Sequence, residues 1–101
     1  TYPGMTIAAS GFYGPQGRVL RMPLAMPDML DTFESFRFGD LKVTNFEMEG
    51  SALQGLARLM GHRAATICTI IAQRVAKDAC TDYKPFVRRM IEMALDKLST
   101  L

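Results

Sequence analysis

Asn45-Phe46-Glu47-Met48-Glu49 places two carboxylates two residues apart, with a methionine between them, where a strand-like stretch gives way to a helical one. Carboxylates near the start of a helix are favoured by the unpaired N–H groups there and by the helix dipole. A sugar diol offers two adjacent hydroxyl donors, which one ionised carboxylate can accept together. Methionine is an adaptable apolar surface that can lie against a sugar ring. The same residues also read as a helix cap, with Asn45 or Glu47 serving backbone N–H groups.

A second constellation is Phe12-Tyr13-Gly14-Pro15-Gln16-Gly17-Arg18. Its glycines let the backbone turn sharply and approach a ligand. Gln16 presents an acceptor and donors in one plane, which suits a uracil ring with a carbonyl beside an N–H. Arg18 adds a fixed fork of donors for a second carbonyl, and Phe12 can stack on a base or sugar. The alternative is a surface loop with a solvated arginine. The third constellation is Ile70-Ile71-Ala72-Gln73-Arg74, at the end of an apolar run. Strand ends in open α/β sheets are where ligands bind, so Ile71 and Ala72 can form the wall of a base pocket and Arg74 can support a base carbonyl. The alternative is a core strand ending at a solvated arginine.

These residues need elements to hold them. Met5 to Ala9 reads as a short buried strand and Ser10 to Gly17 as a loop, while Val19-Leu20 allows a short extended segment. Pro27-Asp28 opens a helix with Met29, Leu30, Phe33 and Phe36 at helical spacing, and Arg37 and Gly39 suit its end. Leu41 to Asn45 is a strand. A second helix runs from about Met48 to Met60 and stops at Gly61. Ala64 to Ala72 reads as a central strand buried on both faces. Lys77 to Thr81 is a polar connection, and Asp82 to Leu98 a third helix with Pro85 in its first turn. Alternation of this kind predicts an α/β fold, part of a sheet flanked by helices, with about three or four strands and an edge that a longer chain would cover.

Composition narrows the function classes. With 101 residues, 49% apolar and 22% charged, the chain is the size of one small globular domain. A net charge of +2, with basic residues scattered along the chain, does not point to nucleic acid. No apolar run approaches the roughly 20 residues that span a bilayer. Two cysteines, Cys68 and Cys80, do not make a disulfide framework and suit a reducing, cytoplasmic setting. The lone His62 follows a helix-ending glycine and reads as a surface residue. The chain opens without methionine in a turn-like sequence, which suggests a piece of something longer.

Taken in order, the loop from Phe12 to Arg18, the Phe46-Glu47-Met48-Glu49 junction and the Ile70-to-Arg74 strand end resemble three consecutive motifs of the nucleoside phosphorylase family, and within it the uridine phosphorylases. The resemblance covers essentially the whole chain but only the C-terminal part of the family's single domain, whose sheet is mixed. It implies phosphorolysis of uridine to uracil and ribose 1-phosphate, with inorganic phosphate as co-substrate and no cofactor or metal. Gln16 and Arg18 would hold the uracil edge, Phe12 would pack on the nucleoside, and Glu47, Met48 and Glu49 would hold the ribose. Ile71 and Ala72 would line the base pocket, and Arg74 would back Arg18. Arg18 and Glu49 would carry the catalytic roles. Purine enzymes of the superfamily place an aspartate at the third motif, where this chain has Gln73-Arg74. A nucleosidase that uses water, another phosphorylase, or a non-catalytic nucleoside-binding module are the other readings. Gly50 stands where a small polar residue is more usual, and Gln73 where an asparagine is. The family binds phosphate through segments upstream of Thr1 and assembles into dimers and rings of dimers, so these 101 residues alone are expected not to turn over uridine.

Overall fold

A computed structural model of the chain describes residues 2–73 and 76–101. It divides into one unit reaching to Thr66 and a second from Ile67 to Leu101. In the first unit, β1 (Met5–Ala8), α1 (Met29–Ser35), β2 (Arg37–Phe38), β3 (Leu41–Glu47) and α2 (Gly50–Leu59) follow in order. The sheet has strand order β1-β3-β2. β1 lies parallel to β3 with Thr6 opposite Asn45 and Ala8 opposite Glu47, and β2 lies antiparallel to β3. The expected mixed sheet is therefore present.

Alternation along β3 sends Phe46 and Glu47 to opposite faces. Phe46 meets Phe33 of α1, ring centroids 5.9 Å apart at 63°, so α1 covers that face. β3 is two residues longer than its apolar pattern suggests, because the ladder to Ile7 and Ala8 carries Phe46 and Glu47 into the strand. α1 ends at Ser35, and Arg37 belongs to β2 rather than to the helix end. No strand forms at Val19-Leu20.

α2 starts at Gly50, two residues later than its apolar spacing suggests, for a reason that lies in the site itself. It ends as a Schellman closure around Gly61: the Gly61 N–H donates to Arg58 O at 3.2 Å and the His62 N–H to Ala57 O at 2.7 Å. His62 is exposed.

The expected central strand from Ala64 to Ala72 does not form; residues 62–71 are neither strand nor helix. Isoleucine and threonine favour extended backbone, but a strand also needs neighbours to take its N–H and C=O groups. Among the described residues, no strand of the β1-β3-β2 sheet pairs with this run. Only Ala72 and Gln73 pair, as β4 (Ala72–Gln73) against β5 (Asp78–Ala79) in a two-residue antiparallel ladder. Ile70 remains 59% exposed. The second unit is completed by α3 (Lys84–Ser99), which begins with Pro85 in its first turn as its sequence requires. Thr69 Oγ1 donates to Met90 Sδ of this helix at 3.1 Å. Among the described residues, no helix is long and apolar enough to cross a membrane.

Candidate functional site

The parallel pairing of β1 and β3 decides which motifs meet. Past the last ladder pair, the Ala9 N–H donates to Glu47 O at 2.8 Å. The Phe12-to-Arg18 loop and the Glu47-to-Glu49 junction therefore leave side by side from the carboxyl ends of two parallel strands. Open α/β sheets bind ligands at such ends.

The loop is tied by its own backbone. Gly14, Pro15 and Gln16 form one turn of 3-10 helix. Tyr13 O accepts from the N–H groups of Gln16 and Arg18, both at 3.0 Å, and the Gly17 N–H returns to Gly14 O at 2.9 Å. Gly17 has φ +76°, and a Cβ there would lie 2.7 Å from Leu30 Cδ2. Glycine is thus required both for the turn and for the approach of α1. The result folds Gln16 inward until it is 4% exposed.

Arg18 draws the loop's side chains together. Its Nη1 donates to Gln16 Oε1 at 2.9 Å and to the Phe12 carbonyl. Its guanidinium lies over the Phe12 ring, 3.5 Å from the centroid, where the ring quadrupole attracts a cation. Tyr13 meets Phe12 edge to face at 5.3 Å. A hollow of about 650 Å³, lined mainly by apolar groups, adjoins Arg18 and is bounded by Tyr13, Pro15, Leu20, Met22 and Met26.

At the junction the two carboxylates divide their work. Glu47 Oε2 accepts from the Glu49 N–H at 2.8 Å and from the Gly50 N–H. It satisfies two of the amides that a helix N-terminus leaves unpaired, and this sets where α2 begins. Glu49 is the last residue before the helix and its side chain makes no capping bond. Glu49 and Met48 are both exposed. Asn45, one of the two candidate caps, serves no helix amide. It lies in β3, where Oδ1 accepts from Thr6 Oγ1 at 2.9 Å and Thr44 Oγ1 at 3.1 Å, while its buried Nδ2 has no partner among the described residues. On the sheet face away from α1, a hollow of about 230 Å³ with a mixed polar and apolar lining is bounded by Thr6, Ala8, Glu47, Ser51, Gln54 and Thr66.

The first two motifs thus share one end of one unit. Ile71 and Ala72 belong to the second unit, where both are exposed and Ile71 O accepts from the Cys80 N–H at 2.7 Å. Arg74 lies outside the described residues. Sequence reasoning passed over Thr6 and gave Gly50 little weight. A threonine in a short apolar strand, placed to face an asparagine of its neighbour, is the signal that could have found the first, and a glycine at the opening of a helix the second.

The profile of the phosphorylase superfamily matches residues 1–100. The chain is also similar to a uridine phosphorylase of Thermococcus kodakarensis, 37% identical over 74% of this chain and 26% of that protein. It therefore spans about a quarter of the length of this curated relative. No solved structure matches it.

Proposed function

The chain belongs to the phosphorylase superfamily, and on that footing we propose that it carries the base and ribose portion of a uridine phosphorylase-type site. The reaction is attack of inorganic phosphate on the anomeric carbon of uridine, releasing uracil and forming ribose 1-phosphate. One observation carries the reading: the 2.9 Å bond from Arg18 Nη1 to Gln16 Oε1. It fixes which end of the Gln16 amide faces Arg18. The row then runs donor, acceptor, donor: Arg18 guanidinium, Gln16 Oε1, Gln16 Nε2. Uracil presents the complement, O4, N3–H and O2. Cytosine presents an amino group to Arg18 and a bare N3 to Oε1, a mismatch at two of three places. The similarity to a protein named uridine phosphorylase supports the same choice.

The chemistry follows from charge. As the glycosidic bond stretches, the base gains negative charge and the sugar positive charge. Donors already aimed at the base stabilise it more in the transition state than in the ground state. Exposed Glu49 accepts the ribose hydroxyls beside the developing cation, with Met48 and Phe12 as apolar surfaces. The family resemblance would also assign Ile71, Ala72 and Arg74 to the base pocket; Ile71 and Ala72 are exposed in the second unit, and Arg74 lies outside the described residues. Phosphate is the nucleophile, so no covalent enzyme intermediate is needed. Its cradle is proposed to come from segments other than these 101 residues.

The test is phosphate-dependent base release by the protein that carries this chain together with such segments. Uridine, cytidine, inosine and methylthioadenosine are compared. Uridine is expected to be favoured over cytidine by at least about 100-fold in kcat/KM, since sites built on buried donors reject mismatched edges strongly. Cleavage of inosine or methylthioadenosine in preference to uridine contradicts the reading.

A further inference from the structure

We infer that Glu47 is a positioning residue: its carboxylate clamps the backbone that aims Glu49, and Gly50 is glycine because the clamp occupies the space of a side chain. The inference rests on the ribose-binding reading of Glu49 above and changes the part Glu47 plays in it. Glu47 is itself anchored in the sheet, opposite Ala8, with its carbonyl bonded to the Ala9 N–H at 2.8 Å. From that fixed base, Oε2 reaches back to the N–H groups of Glu49 and Gly50. A Cβ built on Gly50 would lie 2.8 Å from Glu47 Oε1 and 3.0 Å from Cδ and Oε2. The three nearest obstacles all belong to this one carboxylate. Glutamate is flexible, so a side chain at position 50 could be accommodated, but only by withdrawing the carboxylate from both amides.

The consequence reaches Glu49. Its side chain makes no capping bond, so the turn of its backbone decides where its carboxylate stands. Glu47 governs that turn. A carboxylate committed to two amides has less acceptor capacity left for a diol than one committed to none. Of the two acids at the junction, Glu49 faces the sugar and Glu47 holds it there.

The experiment is a double-mutant cycle of Gly50→Ala and Glu47→Ala, read by hydrogen exchange, thermal midpoint and calorimetric affinity for uridine and for free uracil. Gly50→Ala alone is expected to speed exchange of the amides at positions 49 and 50 by about tenfold or more, because these bonds open with the clamp. It is expected to weaken uridine by about tenfold while uracil stays within about twofold, since only the sugar side loses its aim. In the Glu47→Ala background, Gly50→Ala is expected to cost nothing further and to raise the thermal midpoint, as alanine is the better helix former. Should Gly50→Ala not fold, Glu47→Ala alone must show the same faster exchange. Unchanged exchange, an equal penalty with and without Glu47, or equal weakening of uridine and uracil overturns the clamp. If the unmodified protein binds neither ligand, the nucleoside reading falls instead, and exchange and thermal midpoint still decide the clamp.

Discussion

Arg18 ties together side chains of a loop that its backbone bonds already turn. One nitrogen bonds the Gln16 amide and the Phe12 carbonyl, and the guanidinium plane covers the Phe12 ring. Lysine would keep the charge but not the planar fork, so Arg18→Lys is expected to lower the uridine-over-cytidine preference about tenfold or more, checked by competitive calorimetry. Glu49 tests the other half of the site. Its exposed carboxylate carries no structural bond at the helix start, so Glu49→Gln is expected to weaken uridine by about 10- to 100-fold while leaving stability within about 0.5 kcal/mol. At these positions the sequence states which side chains could match a base edge or a diol; the structure adds that Arg18 bonds Gln16 and that Glu49 makes no capping bond. Glu47 was legible only as two alternatives. Two acids at a junction look alike in a sequence, and only the bonds that Glu47 accepts from the Glu49 and Gly50 amides show which of them is committed to the backbone.

Elements with local determinants were read close to where they lie. Gly61 ends α2 and Pro85 opens α3 because each acts through its own φ, with no distant partner needed. Gly61 sits at φ +76°. Gly61→Ala is therefore expected to destabilise the chain by about 1–2 kcal/mol, measured by urea unfolding, even though a Cβ there would touch nothing within 4 Å. The Ala64-to-Ala72 run was misread because its pattern states a preference for extended backbone without stating what it pairs with. A strand is a property of two segments, whereas a helix closes its own hydrogen bonds. The same reason explains the extension of β3 to Glu47, which depends on Ile7 and Ala8 across the ladder. Packing of α1 on the sheet rests on few contacts, among them the Phe33–Phe46 pair. Phe33→Ala is expected to cost about 1–3 kcal/mol and to loosen the loop that Leu30 holds through Gly17, seen as faster amide exchange at Gly17 and Arg18.

Across the whole molecule, apolar faces outnumber the surfaces that cover them. Leu56 of α2 is 60% exposed and Phe86 of α3 59%, each on a helix whose apolar residues recur at helical spacing. Exposed apolar residues repeated along one helix, such as Leu53 and Leu56 of α2 and Met60 at its end, are of the kind that mark surfaces meeting other protein. The 101 residues alone are accordingly expected to bind a hydrophobic dye strongly, and a longer protein containing them to bind it weakly. The central claim, that the loop and the junction serve one pyrimidine riboside, is tested most directly by titrating uridine into the isotope-labelled protein. Saturable shifts are expected together at the Gln16 side-chain amide, the Arg18 guanidinium and the Glu49 and Gly50 backbone amides, with one dissociation constant and a far weaker response to cytidine. Saturation of uridine elsewhere, or shifts at the loop and the junction that follow different dissociation constants, would contradict it.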